Sequence, residues 1–237
     1  MAGKFRPFEL KTRWDTLRWL FFGRAFPTAF FLILAIGEGQ PVVQYLAGTL
    51  HIHGGLGLVS AVVLPLLYLL NYGFSALIFV TRSVPKMRHP SLVARSMGFI
   101  GTTVVGVVGL LVPQGLALAV VPHALVFAAL VVAALGVAFE VYALAYLRRN
   151  LSVVPEARRL VTGGPYRLVR HPLYLAEVVV SAAYAASNPH AASSIAVVIL
   201  VGAQVARSRY EEQVLSAAIP EYASYQRRTR RLVPFVW

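Results

Sequence analysis

Two short stretches of the chain hold most of the groups able to bind or react. The first, residues 146–177, carries Arg158, Arg159, Tyr166, Arg167, Arg170, His171, Tyr174 and Glu177 around the turn signal Gly163-Gly164-Pro165. The second, residues 204–225, opens with Gln204 and Arg207 and continues through Tyr210, Glu211 and Glu212. Proline suits the first position of a helix, so Pro172 predicts a helix start, with His171 just ahead of it. The free N–H groups and positive dipole end at such a start favour a carboxylate or another anion. Within that helix Tyr174, Glu177, Ser181 and Tyr184 share one face by steps of three and four. A polar stripe of this kind should face protein or a cavity, because lipid would leave it unsatisfied. Arg207 and Glu211 are likewise four apart and share a face. If the two helices pair as a hairpin, the His171/Tyr174 end meets the Arg207/Glu211 end. Two readings then stand on spacing alone. One is a site for a polar ligand below a lipophilic one; the other is a belt of Arg and Glu side chains snorkelling to an interface. With no cysteine in the chain, thiolate catalysis, disulfides and Cys-based metal sites are excluded.

The elements that would position these groups are apolar. Of 237 residues, 58% are hydrophobic and 13% charged, against roughly 45–50% and 25% in ordinary soluble domains. Mean hydropathy is +0.68. Six apolar segments are read by length and lack of charge: 20–36, 56–80, 97–112, 116–147, 173–186 and 191–206. The third, fifth and sixth would make only about 21–24 Å of helix, short for a full crossing. The last two, joined by Asn188-Pro189, could form a hairpin that stops short of the far surface. Residues 8–22 mix Lys11, Arg13 and Arg18 with Trp14, Leu17, Trp19 and Leu20, as an interfacial helix or a positive flank would. No cleavable leader is read at the N-terminus, and the first apolar segment is expected to remain as an anchor. Residues 37–55 are read as the only sizeable outer loop.

Lys and Arg set the orientation. Residues 1–24, 81–95, 148–172 and 207–231 contain all 22 of them, and the intervening connections 37–55, 113–115 and 187–190 contain none. The expectation is an all-α polytopic transmembrane bundle of about six membrane segments with both termini cytoplasmic. The net charge of +13 then faces anionic lipid rather than nucleic acid, since no soluble basic module is seen. Inside the apolar segments, Glu140 could pair with Arg148 or Arg149 or face a cavity. His123, near the outer end of its segment, reads as interfacial. His51 and His53 lack a third metal ligand nearby.

The run Leu160-Val161-Thr162-Gly163-Gly164-Pro165-Tyr166-Arg167-Leu168-Val169-Arg170-His171-Pro172-Leu173-Tyr174, followed by Glu211-Glu212 and Tyr222-Ala223-Ser224-Tyr225, resembles the isoprenylcysteine carboxyl methyltransferase family. The related phospholipid methyltransferases share its R-H-P-x-Y and E-E elements. The likeness covers about residues 140–237 and divides the chain into N-terminal membrane helices, 1–112, and a methyltransferase-like membrane domain, 113–237. It implies S-adenosylmethionine as methyl donor, in a cytoplasmic pocket capped by the C-terminal segment. Cofactor contacts carry over to Arg158, Arg159, Leu160 and Val161, to Tyr166, to His171, Pro172, Leu173 and Tyr174, and to Glu211 with Glu212. The substrate-side arginine carries over to Arg207. Arg158 stands where the family often has His, and Ala176 where it often has Gly. The implied acceptor is lipophilic or membrane-partitioning: a carboxyl group on a prenylated thioether, a lipid amine or a small thiol. The expected setting is a bacterial inner membrane, with membrane lipids as the other partner. Two further readings remain: a small transporter or sensor using His123, Glu140 and Glu177, and a membrane reductase using a nicotinamide cofactor.

Overall fold

A computed structural model describes residues 5, 7–111, 121–187 and 189–233. The first helix, α1 (Arg13–Leu20), is started by a capping box. The Thr12 hydroxyl accepts from the Asp15 N–H at 3.0 Å, and the Asp15 carboxylate accepts from the Thr12 N–H at 3.1 Å. Through a π turn at Phe21–Ala25 it continues into α2 (Phe26–Leu46), giving one helix of 34 residues. Of the stretch 8–22 read as an interfacial helix or a positive flank, residues 13–22 are helical and run without a break into α2. The outer loop expected at 37–55 is likewise shorter, because α2 runs through Gly37, Gly39 and Pro41 to Leu46. These residues break helices in water, but where water is excluded the backbone has no competing partner, so intrahelical hydrogen bonds persist.

A second long helix comprises α3 (Gly54–Leu58), a π turn at Val59–Val63 and α4 (Leu64–Thr81). There follow α5 (Leu92–Leu111), α6 (His123–Leu147), α7 (Pro172–Ser187), α8 (Ala191–Ala218) and the short α9 (Tyr222–Arg228). Helix α7 starts at the proline that predicted it. Helix α8 passes the expected end at 206 by three turns, since Glu211, Glu212, Gln213 and Leu215 are good helix formers. Among the described residues four helices are long and apolar enough to cross a membrane: 13–46, 54–81, 123–150 and 191–218; Leu92–Val105 and Pro172–Ser187 are shorter apolar helices. Residue 112, the connection 113–115 with the division drawn there, residues 116–120, Asn188, and the basic Lys4 and Arg6 lie outside the described residues.

Helix α2 packs along α4, α6 along α7, and α5 along α8, while α4 also packs on α6. The N-terminal helices thus sit against both ends of the C-terminal set. Ala133, Val137, Val180 and Ala183 form the seam between α6 and α7. There Gly136 leaves room for Val180, whose methyl would collide with any added Cβ. Phe31, Ala76 and Phe79 form the seam between α2 and α4.

The basic connections meet at one end of the bundle. Strands β1 (Met87–Arg88) and β2 (Glu156–Ala157) pair antiparallel, with Met87 opposite Ala157 and Arg88 opposite Glu156. Pro7 bridges to Met87, and Val169 bridges to Arg230. All four Lys/Arg-rich stretches are joined in this one basic face.

Candidate functional site

The turn ahead of α7 is shaped by Gly164, whose φ of +55° favours glycine, and a Cβ there would strike the Tyr146 ring. The 3-10 turn Gly164–Arg167 buries Tyr166, and its carbonyl accepts a 2.6 Å hydrogen bond from the Tyr225 hydroxyl of α9. Beyond α9 the chain runs back as a strap. Its Arg230 and Arg231 carbonyls accept from the N–H groups of Arg170 at 2.7 Å and His171 at 3.1 Å.

At the start of α7 the His171 ring stacks on the Tyr174 ring, with centroids 5.2 Å apart and planes 9° from parallel. The Tyr174 hydroxyl donates to the Glu211 carboxylate. From the other side the Arg207 guanidinium lies 4.6 Å over the Tyr174 ring, with its Nε 3.4 Å from Glu211. Arg207 is anchored by a 2.6 Å bond from Nη2 to the Ser152 carbonyl. The hairpin of α7 and α8 therefore joins the imidazole–phenol end to the guanidinium–carboxylate end, as the spacing predicted.

This pair separates two spaces. On the basic side is a cleft, lined by Tyr174, His171, Glu211, Arg158 and the α9 tyrosines, Tyr222 and Tyr225. On the apolar side is a chamber of about 700 Å³ between α2, α4, α5, α6, α7 and α8. Arg207 lines the chamber, Tyr174 lines the cleft, and Leu173 lines both. The polar stripe on α7 divides in the same way. Tyr174 faces the cleft, while Glu177, Ser181 and Tyr184 face the chamber. One turn deeper than Arg207, Gln204 donates to Glu177. Glu140 lines the chamber and accepts a 2.6 Å bond from the Asn71 amide of α4. Of the two settings expected for Glu140, it has the cavity and not the pairing with Arg148 or Arg149, because α4 packs on that face of α6 while the arginines lie beyond the helix end. His123 is exposed at the start of α6, away from Glu140 and Glu177.

Ten of the residues expected around a cofactor line the cleft: Arg158, Arg159, Leu160 and Val161 from the loop, Tyr166 from the turn, His171, Pro172, Leu173 and Tyr174 from α7, and Glu211 from α8. Glu212 does not. Its carboxylate accepts from Arg170 at 2.8 Å and from Arg231 at 2.7 and 3.0 Å, and lies 3.3 Å from His171 Nε2. It ties the strap to α7 and α8.

Glu156 was not singled out from the sequence. It is buried, and Arg82 at 2.8 Å, Arg88 and Arg158, both at 2.5 Å, converge on it with the Ser152 hydroxyl at 2.8 Å. Burial alone would raise its carboxyl, but Arg158, Arg88 and Arg82 outweigh that and hold it at about 2. Its signal was present: it is the sole acidic residue among the arginines of 148–172. Asn71 was missed because an amide carries no charge in an otherwise apolar segment, and Tyr222, part of the resemblance, had no expected role because its place depends on how α9 folds back.

Two buried polar atoms on residues of the cleft wall have no hydrogen-bond partner among the described residues, Arg158 Nη1 and Tyr222 Oη. Buried donors without partners are costly, and a polar, carboxylate-bearing nucleoside such as S-adenosylmethionine carries the acceptors they lack. The residues present fit that group.

Residues 116–220 match the model of the phospholipid methyltransferase family. A stretch of 76 residues is 36% identical to the cobalt-zinc-cadmium resistance protein CzcN of Cupriavidus metallidurans, covering 32% of this chain. The chain spans 35% of that curated relative's length. The matched segment contains α6, α7 and α8, the helices that build the septum between cleft and chamber. Over residues 116–220 this chain is thus similar to the phospholipid methyltransferase family, to which the isoprenylcysteine carboxyl methyltransferases are related.

Proposed function

We propose that the chain is an integral membrane methyltransferase that binds S-adenosylmethionine in the cleft and methylates a lipophilic acceptor held in the chamber. The observation that carries this reading is the septum. Tyr174 and Arg207 touch each other, yet one belongs to a polar cleft at the basic face and the other to a chamber walled by apolar helices. A charged donor and a lipophilic acceptor need such separate routes to one meeting point. With the positive-inside rule, the basic face is cytoplasmic, where the donor is dissolved.

The bound donor supplies a methyl group on a sulfonium: the acceptor's lone pair forms the new bond to carbon as the carbon–sulfur pair returns to sulfur, leaving a neutral thioether. The protein's share is alignment and exclusion of water. Tyr174 is fixed between His171 and Arg207 and held by Glu211 through its hydroxyl. Arg207, anchored on Ser152, presents its positive charge to the chamber, where it would hold the acceptor's polar end. The residues 1–111 supply the wall through Phe31, Tyr72, Asn71 and Thr102. They shape the acceptor site rather than only anchoring the catalytic helices.

The test uses donor labelled in its methyl group, purified chain in detergent, and a lipid extract as the source of acceptors. Label should pass into the organic phase with the parent protein. Arg207→Ala should lose transfer while keeping donor affinity. Loss of donor affinity in Arg207→Ala would contradict its placement on the acceptor side.

A further inference from the structure

This inference rests on the cofactor reading above. We propose that Arg158 recognises the methionine carboxylate of S-adenosylmethionine and thereby sets which sulfonium donors the cleft admits.

Arg158 is 4% exposed, and two of its three guanidinium nitrogens are committed. Its Nε donates to the Ser83 carbonyl at 2.9 Å, and its Nη2 donates to Glu156 at 2.5 Å. Those bonds fix the plane of the guanidinium and leave Nη1 buried without a partner among the described residues, on a residue of the cleft wall. A donor held this firmly loses little freedom when a ligand reaches it.

Charge points the same way. Arg82, Arg88 and Arg158 share the single carboxylate of Glu156, so the cluster has more buried positive charge than it neutralises. Arg159 adds another guanidinium to the cleft lining. An incoming carboxylate reduces that surplus, whereas an added ammonium would increase it. Across the cleft Glu211 presents the opposite sign. The wall thus accepts a ligand with its carboxylate toward Arg158 and its hydrogen-bond donors toward Glu211.

The experiment titrates the purified full chain with S-adenosylmethionine and with its decarboxylated analogue, which keeps the sulfonium and the adenosine but lacks the carboxylate. The parent should prefer the carboxylated ligand by roughly ten- to hundredfold, the range for a hydrogen bond between charged groups. In Arg158→Gln the ratio should fall to near one with affinity for the analogue kept, and Arg158→Lys should restore part of it. Equal affinity of the parent for both ligands overturns the proposal without any variant, so a folding defect in Arg158→Gln cannot shield it. A preference that persists in Arg158→Gln overturns it as well. Failure of folded parent to bind either ligand removes the cofactor reading itself, a result distinct from equal binding.

Discussion

Glu211 and Glu212 are neighbours on one helix, yet they belong to regions that treat charge in opposite ways. Around Glu212, as around Glu156, several cations converge and the carboxylate's acceptor sites are filled by the protein. Both carboxylates join distant parts of the chain: Glu212 binds the strap to α7 and α8, and Glu156 binds the end of α4 and β1 to the loop before α7. Around Glu211 the described residues supply one phenol hydroxyl, a guanidinium Nε at 3.4 Å and the His171 Nδ1 at 3.7 Å, the latter two beyond good hydrogen-bond distance, and the residue lines the cleft. A filled carboxylate is structural; one left with free acceptor sites at a cavity wall is available to a ligand. Arg158 stands in both regions, holding Glu156 with one nitrogen and lining the cleft.

Glu212→Ala should break the comparison hardest. It removes the carboxylate shared by the buried His171, the largely buried Arg170 and Arg231, a loss of about 3–5 kcal/mol for a broken buried pair. The strap should come free, read as a lower thermal midpoint and faster proteolysis after Arg228; an unchanged proteolysis pattern would mean that the strap is held elsewhere. Glu211→Ala, by contrast, should leave both readouts near those of the parent.

Glu156→Gln sharpens the same contrast through pH. Because the folded protein holds this carboxyl at about 2 against its ordinary 4.5, its stabilisation is complete above 4.5 and is lost as pH falls toward 2. The difference is worth about 3 kcal/mol, so the parent should lose stability across that window. Glu156→Gln should be weaker at neutral pH and should show less of the acid-induced loss. An identical acid profile in both would refute the filled-carboxylate account.

Gly164→Ala should act less strongly and only on the cleft side. Positive φ costs a residue with a side chain about 1–2 kcal/mol, and the new methyl must displace the Tyr146 ring. Thermal unfolding should show that loss, with the chamber helices unaffected in amide exchange.

Much of the bundle was legible because lipid imposes simple rules. Long uncharged runs predicted the helices, and the distribution of Lys and Arg predicted that residues near 7, 86, 157 and 230 would gather on one face. Pro172 marked the start of α7, and the spacing of Tyr174 with Glu177 and of Arg207 with Glu211 predicted the polar faces that meet. Helix ends were less legible. Gly and Pro between 37 and 41 read as a loop by rules that hold in water, and α8 continued past Arg207 because polar helix formers carry it beyond the apolar stretch. Partners contributed by remote segments could not be read at all. Asn71 beside Glu140, and Arg82 with Arg88 beside Glu156, depend on how α4 and β1 pack against later elements, which no local spacing records. The different fates of Glu211 and Glu212 were hidden for the same reason, since the strap decides them.

The central claim is tested most directly by calorimetric titration of S-adenosylmethionine into the purified, detergent-solubilised parent chain and into His171→Ala and Glu211→Ala. The account predicts saturable binding at one site, weakened by both substitutions while the helical content is unchanged. A folded parent that takes up no S-adenosylmethionine, or variants that bind it as tightly as the parent does, would contradict it.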